Sequence, residues 1–501
     1  MKTTTLPQDL VSVPLPSIAE RRRRVLGVVV WVLVAAVSFD LAYALDHSGF
    51  LAVAYLFALL QLAQADTWRM AFYPGLAVGL ALGTLQLRFF WSIFSAGAVV
   101  LWLVYAFWVG LFVALARLCL KSEWLRLGPR SWKFSLGWCL IPFIWCGLEY
   151  FRSELYFLRF GWLTPGFAFG TTPRLVPLPS AGVYGIGFLL MAIACAAACL
   201  LRRSRVQAAT ALLLGVGLLH LGAIFDGRVS EETRPRAVQV AGVQMEFPTE
   251  PEVLTRLSAL VRRYPEAELL VLSEYTFMEP VPERVKAWCR EHRRYLVVGG
   301  KDPAPDKDFY DTAFVISPDG EIVFRQGKSV PIQFFKDGLP APEQKVWDSP
   351  WGKLGICVCY DLSYSRVTDR LIQQGAKALV VPTMDVIDWG EPQHRLHARV
   401  APARAAEYGV PIFRVASSGI SQLVDHRGKL LASAPCPGDG AMLSATMALR
   451  NEGRLPWDRW LAPVSTGLTA LLTAFLLLNR FGRIPALTSS ANAPTTSTNS
   501  C

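Results

Sequence analysis

Residues 354–361 read LGICVCYD, an apolar run of strand character that ends on a cysteine, an aromatic ring and a carboxylate. A strand over Leu354–Cys359 that stops at a turn before a helix presents its last side chain at the top of a sheet. Backbone N–H groups then lie nearby for an oxyanion, which suits Cys359 to attack on a carbonyl. Cys357 shares that strand face by the period of two but lies deeper, and reads as core. Downstream, SRVTDRLIQQGA (365–376) has helical spacing and ALVVPTMD (378–385) is a buried strand. QHRLHARVAPARAAEYG (393–409) reads as one helix stopped by Gly409, and VPIFRVAS (410–417) as another strand. Upstream, RAVQVAGVQ (236–244), ELLVLSE (268–274) and YLVVGG (295–300) are strands. They alternate with the amphipathic stretches EPEVLTRLSALVRRY (250–264) and VPERVKAWCREH (281–292). DTAFVISPDGEIVFRQGK (311–328) is a hairpin turned by Pro-Asp-Gly. Strands alternating with helices, interrupted by hairpins, predict an α/β sandwich.

Two further positions carry chemistry. Glu274 ends the apolar strand Leu269–Ser273, where partial desolvation raises a carboxylate's pKa and suits it to base catalysis. Lys328 closes the second arm of the hairpin. Each alone has a bland reading, as a solvated strand end, an exposed lysine or a structural thiol. Together they form a set: a thiol with pKa near ~8.5 is mostly protonated at neutral pH, a carboxylate takes its proton, and an ammonium steadies the oxyanion. That is what acyl transfer through a thioester requires.

The rest of the chain is of another kind. Of 501 residues, 52% are hydrophobic and only 18% charged, too apolar for a disordered chain or an ordinary soluble enzyme. The average divides into a mostly apolar region, 25–225, and a region of soluble-protein composition, 227–459. Eight stretches are candidate spanning helices: 25–45, 49–66, 71–88, 92–116, 132–150, 181–201, 207–225 and 460–479. The third and fourth are separated only by Arg88 and aromatic residues. The net charge of +11 sits in short clusters between apolar runs, which argues for orientation signals and against nucleic acid. With the N-terminus in the cytoplasm, the inside segments hold Lys2, Arg21–Arg24, Arg69, Arg117, Lys121, Arg126, Arg130, Lys133, Arg202, Arg203, Arg205, Arg480 and Arg483. The short outside segments hold only Arg88, Arg152, Arg159 and Arg174. The globular domain then falls outside the cytoplasmic membrane, provided spans three and four are separate. Residues 21–45 also resemble a signal peptide ending at Ala42-Tyr43-Ala44, but the late basic run and long apolar run favour an uncleaved helix. The expected division is a cytoplasmic segment 1–24, seven helices over 25–225, the globular domain 227–459, a last helix 460–479 and a disordered tail 480–501.

Segment 151–180, FRSELYFLRFGWLTPGFAFGTTPRLVPLPS, is aromatic and contains Gly and Pro. It reads either as a loop with an interfacial aromatic belt or as a lid for a lipid, with Trp162 and Phe167 as lipid contacts. Ten cysteines without a CxxC…CxxC pattern exclude a disulfide scaffold and a zinc ribbon. His394 and His397 are neighbours on a helix, but no third ligand is visible, so no metal is expected. Asp40, Glu149 and His220 are the ionisable residues a transporter would use.

Glu274, Lys328 and Cys359, in this order on these elements, resemble the nitrilase superfamily. The matching stretches are LVLSEYTF, YDTAFVISPDGEIVFRQGK, GICVCYD, GAKALVVPTMD and SGISQLVDHRGKLL. The membrane half, through LEYFRSELYFLRFGWLTPGFAFG and SAGVYGIGFLL, is similar to one branch, the bacterial apolipoprotein N-acyltransferases. The resemblance spans about 25–480. It implies an αββα sandwich facing outward from a bacterial inner membrane, with Glu274, Lys328 and Cys359 catalytic and Tyr360 and Asp361 supporting. It also implies a phospholipid acyl donor, a diacylglyceryl-cysteine lipoprotein acceptor, no cofactor and a monomer. Two features depart from the family. KSVPIQFFKDG (328–338) has Phe334 where a supporting glutamate is usual, with Asp337 the nearest carboxylate, and the stretch after VAGVQMEFP lacks a frequent tryptophan. The alternative is a membrane-anchored amidase or carbon–nitrogen hydrolase with water as acceptor, although one anchor would serve a soluble substrate.

Overall fold

The computed structural model describes residues 17–127, 134–226 and 236–481. Lys2, Arg130, Lys133, Arg483 and the tail from 482 lie outside the described residues. The membrane half holds α1 (Ile18–Ala44), α2 (Leu51–Leu62), α3 (Trp68–Gln86), α4 (Phe89–Phe94) and α5 (Gly97–Lys121). A small ribbon, β1 (Arg126–Leu127) with β2 (Phe134–Ser135), leads to α6 (Gly137–Tyr150), α7 (Leu178–Leu201) and α8 (Arg205–Asp226). Each of the seven expected N-terminal stretches contains a helix. Among the described residues, five helices are long and apolar enough to cross a bilayer: α1, α5, α7, α8 and the C-terminal α14 (Asp458–Phe481). The 12-residue α2 and the 14-residue α6 are shorter. A π-helical turn, Phe151–Leu155, continues α6 without a break.

The fourth expected span is corrected. It begins at Gly97 rather than 92, because Ser95 adopts φ +48° and cuts the aromatic stretch Phe89–Phe94 off as a separate helix. That break separates the third span from the fourth. α3 and α5 then pack closely, since a Cβ on Gly79 would overlap the Ala106 backbone and one on Gly75 would lie 3.0 Å from Gly110 Cα. α1 begins at Ile18, upstream of the expected start, with Ser17 and Glu20 forming a capping box. Tyr43 near its end is buried, and its hydroxyl donates to the Trp162 and Thr164 carbonyls.

The second half holds two six-stranded sheets. One contains β3 (Arg236–Val243), β4 (Leu269–Val271), β5 (Tyr295–Pro303), β6 (Phe309–Ile316), β7 (Ile322–Gly327) and β14 (Met442–Leu449), ordered β14-β3-β4-β5-β6-β7. The other contains β8 (Val346–Ser349), β9 (Gly352–Ile356), β10 (Ala378–Thr383), β11 (Ile412–Ala416), β12 (Ser421–Val424) and β13 (Leu430–Ala434), ordered β13-β12-β11-β10-β9-β8. The three central strands of each are parallel, as crossover helices require. The sheets face each other so closely that a Cβ on Gly242 would lie 2.7 Å from Val415 Cγ2. α9 (Glu250–Arg263) and α10 (Glu283–His292) put Leu257, Leu260 and Val285 into the core of the first sheet's outer face. α11 (Ser365–Gln373), α12 (Glu391–Ala398) and α13 (Val400–Tyr408) belong to the other half of the sandwich.

The stretch 393–409, expected as one helix, is two, broken at Arg399. Pro402 accounts for the break, since its ring opposes the carbonyl four residues back. Gly409 ends α13 at φ +72°, as its position predicts.

The halves are joined by a buried ionic cluster. α7 is kinked at Gly182, φ +73°, where any Cβ would overlap the Asp458 carboxylate. Asp458 accepts from the Tyr184 and Gly185 N–H groups, and Glu407 of α13 accepts from Val183 N–H at 2.9 Å. Arg459 bridges Asp369, Glu407 and Asp458.

Candidate active site

β4, the β6–β7 hairpin and β9 deliver the three expected residues to one point between the sheets. β4 ends at Val271, earlier than expected, and Glu274 sits in the turn that follows. Lys328 directly follows β7, its N–H donating to the Asp311 carbonyl at 2.8 Å. The strand expected to reach Cys359 stops at Ile356, and Cys359 opens a 3₁₀ turn, Cys359–Ser363, with φ +51°. This conformation is rare for a residue with a Cβ and is held only by its surroundings. It takes Cys359 out of the strand's alternation, while Cys357 is buried in the core as its position predicts.

All three side chains are buried. Lys328 Nζ lies 2.7 Å from Glu274 Oε1, 2.7 Å from Asp337 Oδ2 and 3.5 Å from Asp311 Oδ2. The second Glu274 oxygen accepts from Met384 N–H at 2.6 Å, and the carboxylate's charge acts on the nearby Cys359 thiol. The thiol reaches the Met384 carbonyl at 3.6 Å. Burial, reinforced by the Glu274 charge, pushes the Cys359 thiol well above its usual pKa. Burial opposes ionisation of Glu274, but Lys328 and the hydrogen bonds outweigh it and hold the carboxyl below the usual value. Burial and the adjoining Glu274 push Asp311 well up. At rest the site therefore holds a thiol, a Glu274 carboxylate, a protonated Asp311 and a Lys328 ammonium.

Glu274, Asp311 and Asp337 are also the one group of metal-type donors among the described residues. Lys328 Nζ stands among them, so the place a cation would take is filled by the ammonium. His394 instead meets Cys436 and the Val386 carbonyl, while His397 Nδ1 lies 2.7 Å from Asp385.

Of the supporting residues, Asp361 accepts N–H groups of Ser329 and Val330, fixing the turn after Lys328 to the turn after Cys359. Tyr360 stands edge-on to Trp162 at 5.5 Å. Trp162 stacks on His397 at 4.7 Å and donates to Ser363 Oγ at 2.8 Å. It lines an apolar cavity with Cys359, Phe89, Phe94 and Tyr105 from the membrane half and Ile332 and Phe334 from the other. Phe167 does not line that cavity. It is buried beneath the Arg404 guanidinium, 5.4 Å from its ring centroid, because the chain coils into a 3₁₀ turn there. Segment 151–180 is largely packed between the halves rather than free as a belt.

Asp311 and Tyr275 complete the site beyond the expected set, joined by Asp337, the carboxylate already noted in 328–338. Tyr275 donates to Asp337 Oδ1 at 2.8 Å, and Ile332 N–H donates to Oδ2 at 2.7 Å. Phe334, where the resemblance places a glutamate, is 65% exposed, and Asp337 makes the contact with Lys328. A carboxylate inside the otherwise apolar strand Phe309–Ile316 is the available signal for Asp311.

Residues 26–196 match the family model described as apolipoprotein N-acyltransferase N-terminal domain, and residues 237–451 match carbon-nitrogen hydrolase. The two halves of the chain are thus similar, one to the N-terminal domain of apolipoprotein N-acyltransferases and the other to carbon-nitrogen hydrolases. An apolipoprotein N-acyltransferase of Geobacter metallireducens is 27% identical over 370 residues, covering 64% of this chain and 70% of that one. Another, of Shewanella oneidensis, is 23% identical over 457 residues, covering 81% and 85%. The solved structure of Saccharomyces cerevisiae Nit3, a nitrilase-superfamily member, is 20% identical, with a TM-score of 0.38, and covers 44% of this chain and 93% of its own. These similarities point to a bacterial membrane acyltransferase with a nitrilase-like domain.

Proposed function

We propose that the chain moves an acyl chain from a phospholipid, through a thioester on Cys359, to the α-amino group of a diacylglyceryl-cysteine at a lipoprotein N-terminus. The observation that carries this reading is the cavity: the thiol opens into an apolar space walled partly by membrane helices. A soluble amide needs no such wall. An acyl chain does, since each CH₂ extracted into water costs about 0.8 kcal/mol.

In the first step Glu274 takes the Cys359 proton as sulfur attacks the ester carbonyl. The oxyanion forms beside Lys328, whose charge stabilises it. Collapse expels the lysophospholipid alkoxide, which recovers the proton from Glu274 and leaves the acyl thioester. In the second step the acceptor amine attacks the thioester, Glu274 takes its proton, and the departing thiolate is reprotonated. This is a ping-pong sequence. Asp337 and Asp311 position Lys328, Asp361 and Tyr360 hold the cysteine turn, and no cofactor takes part. The arginine distribution supports an inner-membrane protein with its catalytic domain on the periplasmic side, and a monomer is part of the same proposal.

The test is to supply phospholipid to the full-length protein in detergent and read intact mass. An acyl adduct that disappears on adding a diacylglyceryl peptide, with that peptide gaining the acyl group, is expected. Release of free fatty acid or ammonia without transfer would favour the hydrolase.

A further inference from the structure

α12 brings an imidazole to the cavity beside Cys359. His397 lines that cavity and is 1% exposed. Its Nδ1 lies 2.7 Å from Asp385 Oδ1 and 2.9 Å from Arg414 Nη2, and the same Arg414 nitrogen donates to the other Asp385 oxygen. Gln393, one turn back on α12, donates to Asp385 Oδ1 at 3.1 Å. The nearer, anionic partner fixes the proton on Nδ1, because a lone pair there would oppose the carboxylate. The other lone pair is then on Nε2, which is buried and has no hydrogen-bond partner among the described residues. A buried acceptor left open in this way is rare.

The imidazole adjoins the reacting groups. Asp385 follows Met384, whose N–H binds Glu274 and whose carbonyl the Cys359 thiol reaches at 3.6 Å. The charges facing the ring are Asp385 after β10, Arg414 on β11 and Glu274 after β4, with the Trp162 ring stacked on it. Arg152 and Arg159 lie elsewhere in the cavity lining, which holds no carboxylate among the described residues. Burial keeps the imidazole below the usual histidine value in spite of Asp385, so it waits as a neutral base. Proton counting shows where a second base is needed. In the first step the thiol proton ends on the departing alkoxide, and Glu274 alone can carry it. In the second step the acceptor arrives as an ammonium, since an α-amino group has a pKa of about 7.7–8.0. Its nitrogen must lose two protons. One passes through Glu274 to the thiolate, and the other needs a different acceptor.

We propose that His397 Nε2 is that acceptor, a second catalytic base that turns the incoming α-ammonium into the attacking amine. This rests on the acyltransfer reading and adds a residue to the same site. An ammonium entering the apolar cavity loses its hydration and meets no carboxylate in the lining, whereas an imidazolium forms against Asp385, so the proton moves to Nε2. The freed nitrogen lone pair then attacks the thioester carbonyl and forms the C–N bond, with the oxyanion beside Lys328. Glu274 takes the second N–H proton, the C–S bond breaks, and the thiolate recovers that proton from Glu274. His397 gives its own proton to water as the amide leaves. The sum is thioester plus ammonium giving amide, thiol and one released proton.

The test uses the full-length protein, wild type and His397→Gln. The thioester is loaded from phospholipid or from p-nitrophenyl butyrate, the donor is removed, and discharge is followed by intact mass across a range of pH. The acceptors are a diacylglyceryl peptide, glycinamide, and O-methylhydroxylamine, which is uncharged at neutral pH. The readout is the rate with each α-ammonium acceptor divided by the rate with O-methylhydroxylamine, so that any general damage to the cavity cancels. In wild type this ratio should change little between about pH 6 and about pH 9. In His397→Gln it should follow the free-amine fraction, falling about 50-fold at about pH 6 and recovering at about pH 9. A ratio that matches wild type at every pH, or one that falls equally at all pH, would overturn the proposal by leaving His397 a structural or binding role. A ratio that falls as expected with glycinamide, in a protein that never loads from phospholipid or never acylates the peptide, would overturn the acyltransfer reading and leave the second base standing. No thioester from either ester would overturn both.

Discussion

A thiol raised by burial and a carboxylate lowered by a lysine give Cys359 and Glu274 complementary resting states, and their pH behaviour follows. Glu274 stays ionised until the pH falls through a value below the usual carboxylate range, so the acid limb of adduct formation lies lower than an isolated glutamate would place it. Glu274→Gln removes the proton acceptor and should slow adduct formation by at least about 10²-fold. Lys328→Ala should cost about 10²–10³ by removing the charge beside the oxyanion. Cys359→Ala and Cys359→Ser should form no adduct and Cys357→Ala should form it, and intact mass distinguishes them. Asp361 has the opposite sign. Burial, against hydrogen bonds from Ser329 and Val330, pushes its carboxyl from 3.8 up to about 7. A folded value above the unfolded one favours the fold most below 3.8 and loses that contribution as pH rises through about 7. The thermal midpoint of the full-length protein should therefore fall between about pH 5 and about pH 8, with a smaller slope in Asp361→Asn. Glu274, Lys328 and Cys359 were legible because each ends a patterned segment and their chemistry is complementary. Asp337 was legible only as the nearest carboxylate in 328–338, and Tyr275 was not, because the turn that brings it to Asp337 leaves no periodicity.

Trp162 shows what a connecting segment contributes when it is packed. Its ring closes one wall of the cavity by stacking on His397, and its indole N–H ties segment 151–180 to the turn after Cys359. Trp162→Ala should lower stability by about 3–5 kcal/mol and slow adduct formation from phospholipid, while Trp162→Phe should lose only the hydrogen bond, about 1 kcal/mol. Thermal unfolding beside adduct kinetics separates the two effects. Alternating and helical periods gave the strands and most helices correctly, since burial on one face dictates those periods. The breaks at Ser95 and Arg399 escaped because apolar spacing runs straight through both. Only a positive φ in one case and a proline three residues later in the other interrupt the backbone. Phe167 escaped for a related reason, as composition cannot tell an aromatic ring in a cavity wall from one beneath an arginine.

The whole chain works as two halves sharing one wall. Residues 236–457 expressed alone should react with a short soluble ester yet fail to take acyl chains from bilayer phospholipid, because Phe89, Phe94 and Tyr105 would be missing from the cavity. Equal rates with and without the membrane half would reduce that half to an anchor. Orientation is checked by single cysteines: Asp306→Cys should react with an impermeant thiol probe from outside, and Leu127→Cys only after permeabilisation. The ionic cluster around Asp458 adds a temporal consequence. Gly182, Tyr184 and Gly185 leave the ribosome early, Asp369 and Glu407 much later, and Asp458 and Arg459 last of all. Until that final helix emerges, the kinked amides of α7 lack their acceptor and Asp369 lacks its cation. The catalytic half therefore gains this part of its clamp only when that helix emerges, whereas the Glu407–Val183 and Trp162–Ser363 hydrogen bonds do not wait for it. Chains that end before Asp458 should lack this latch.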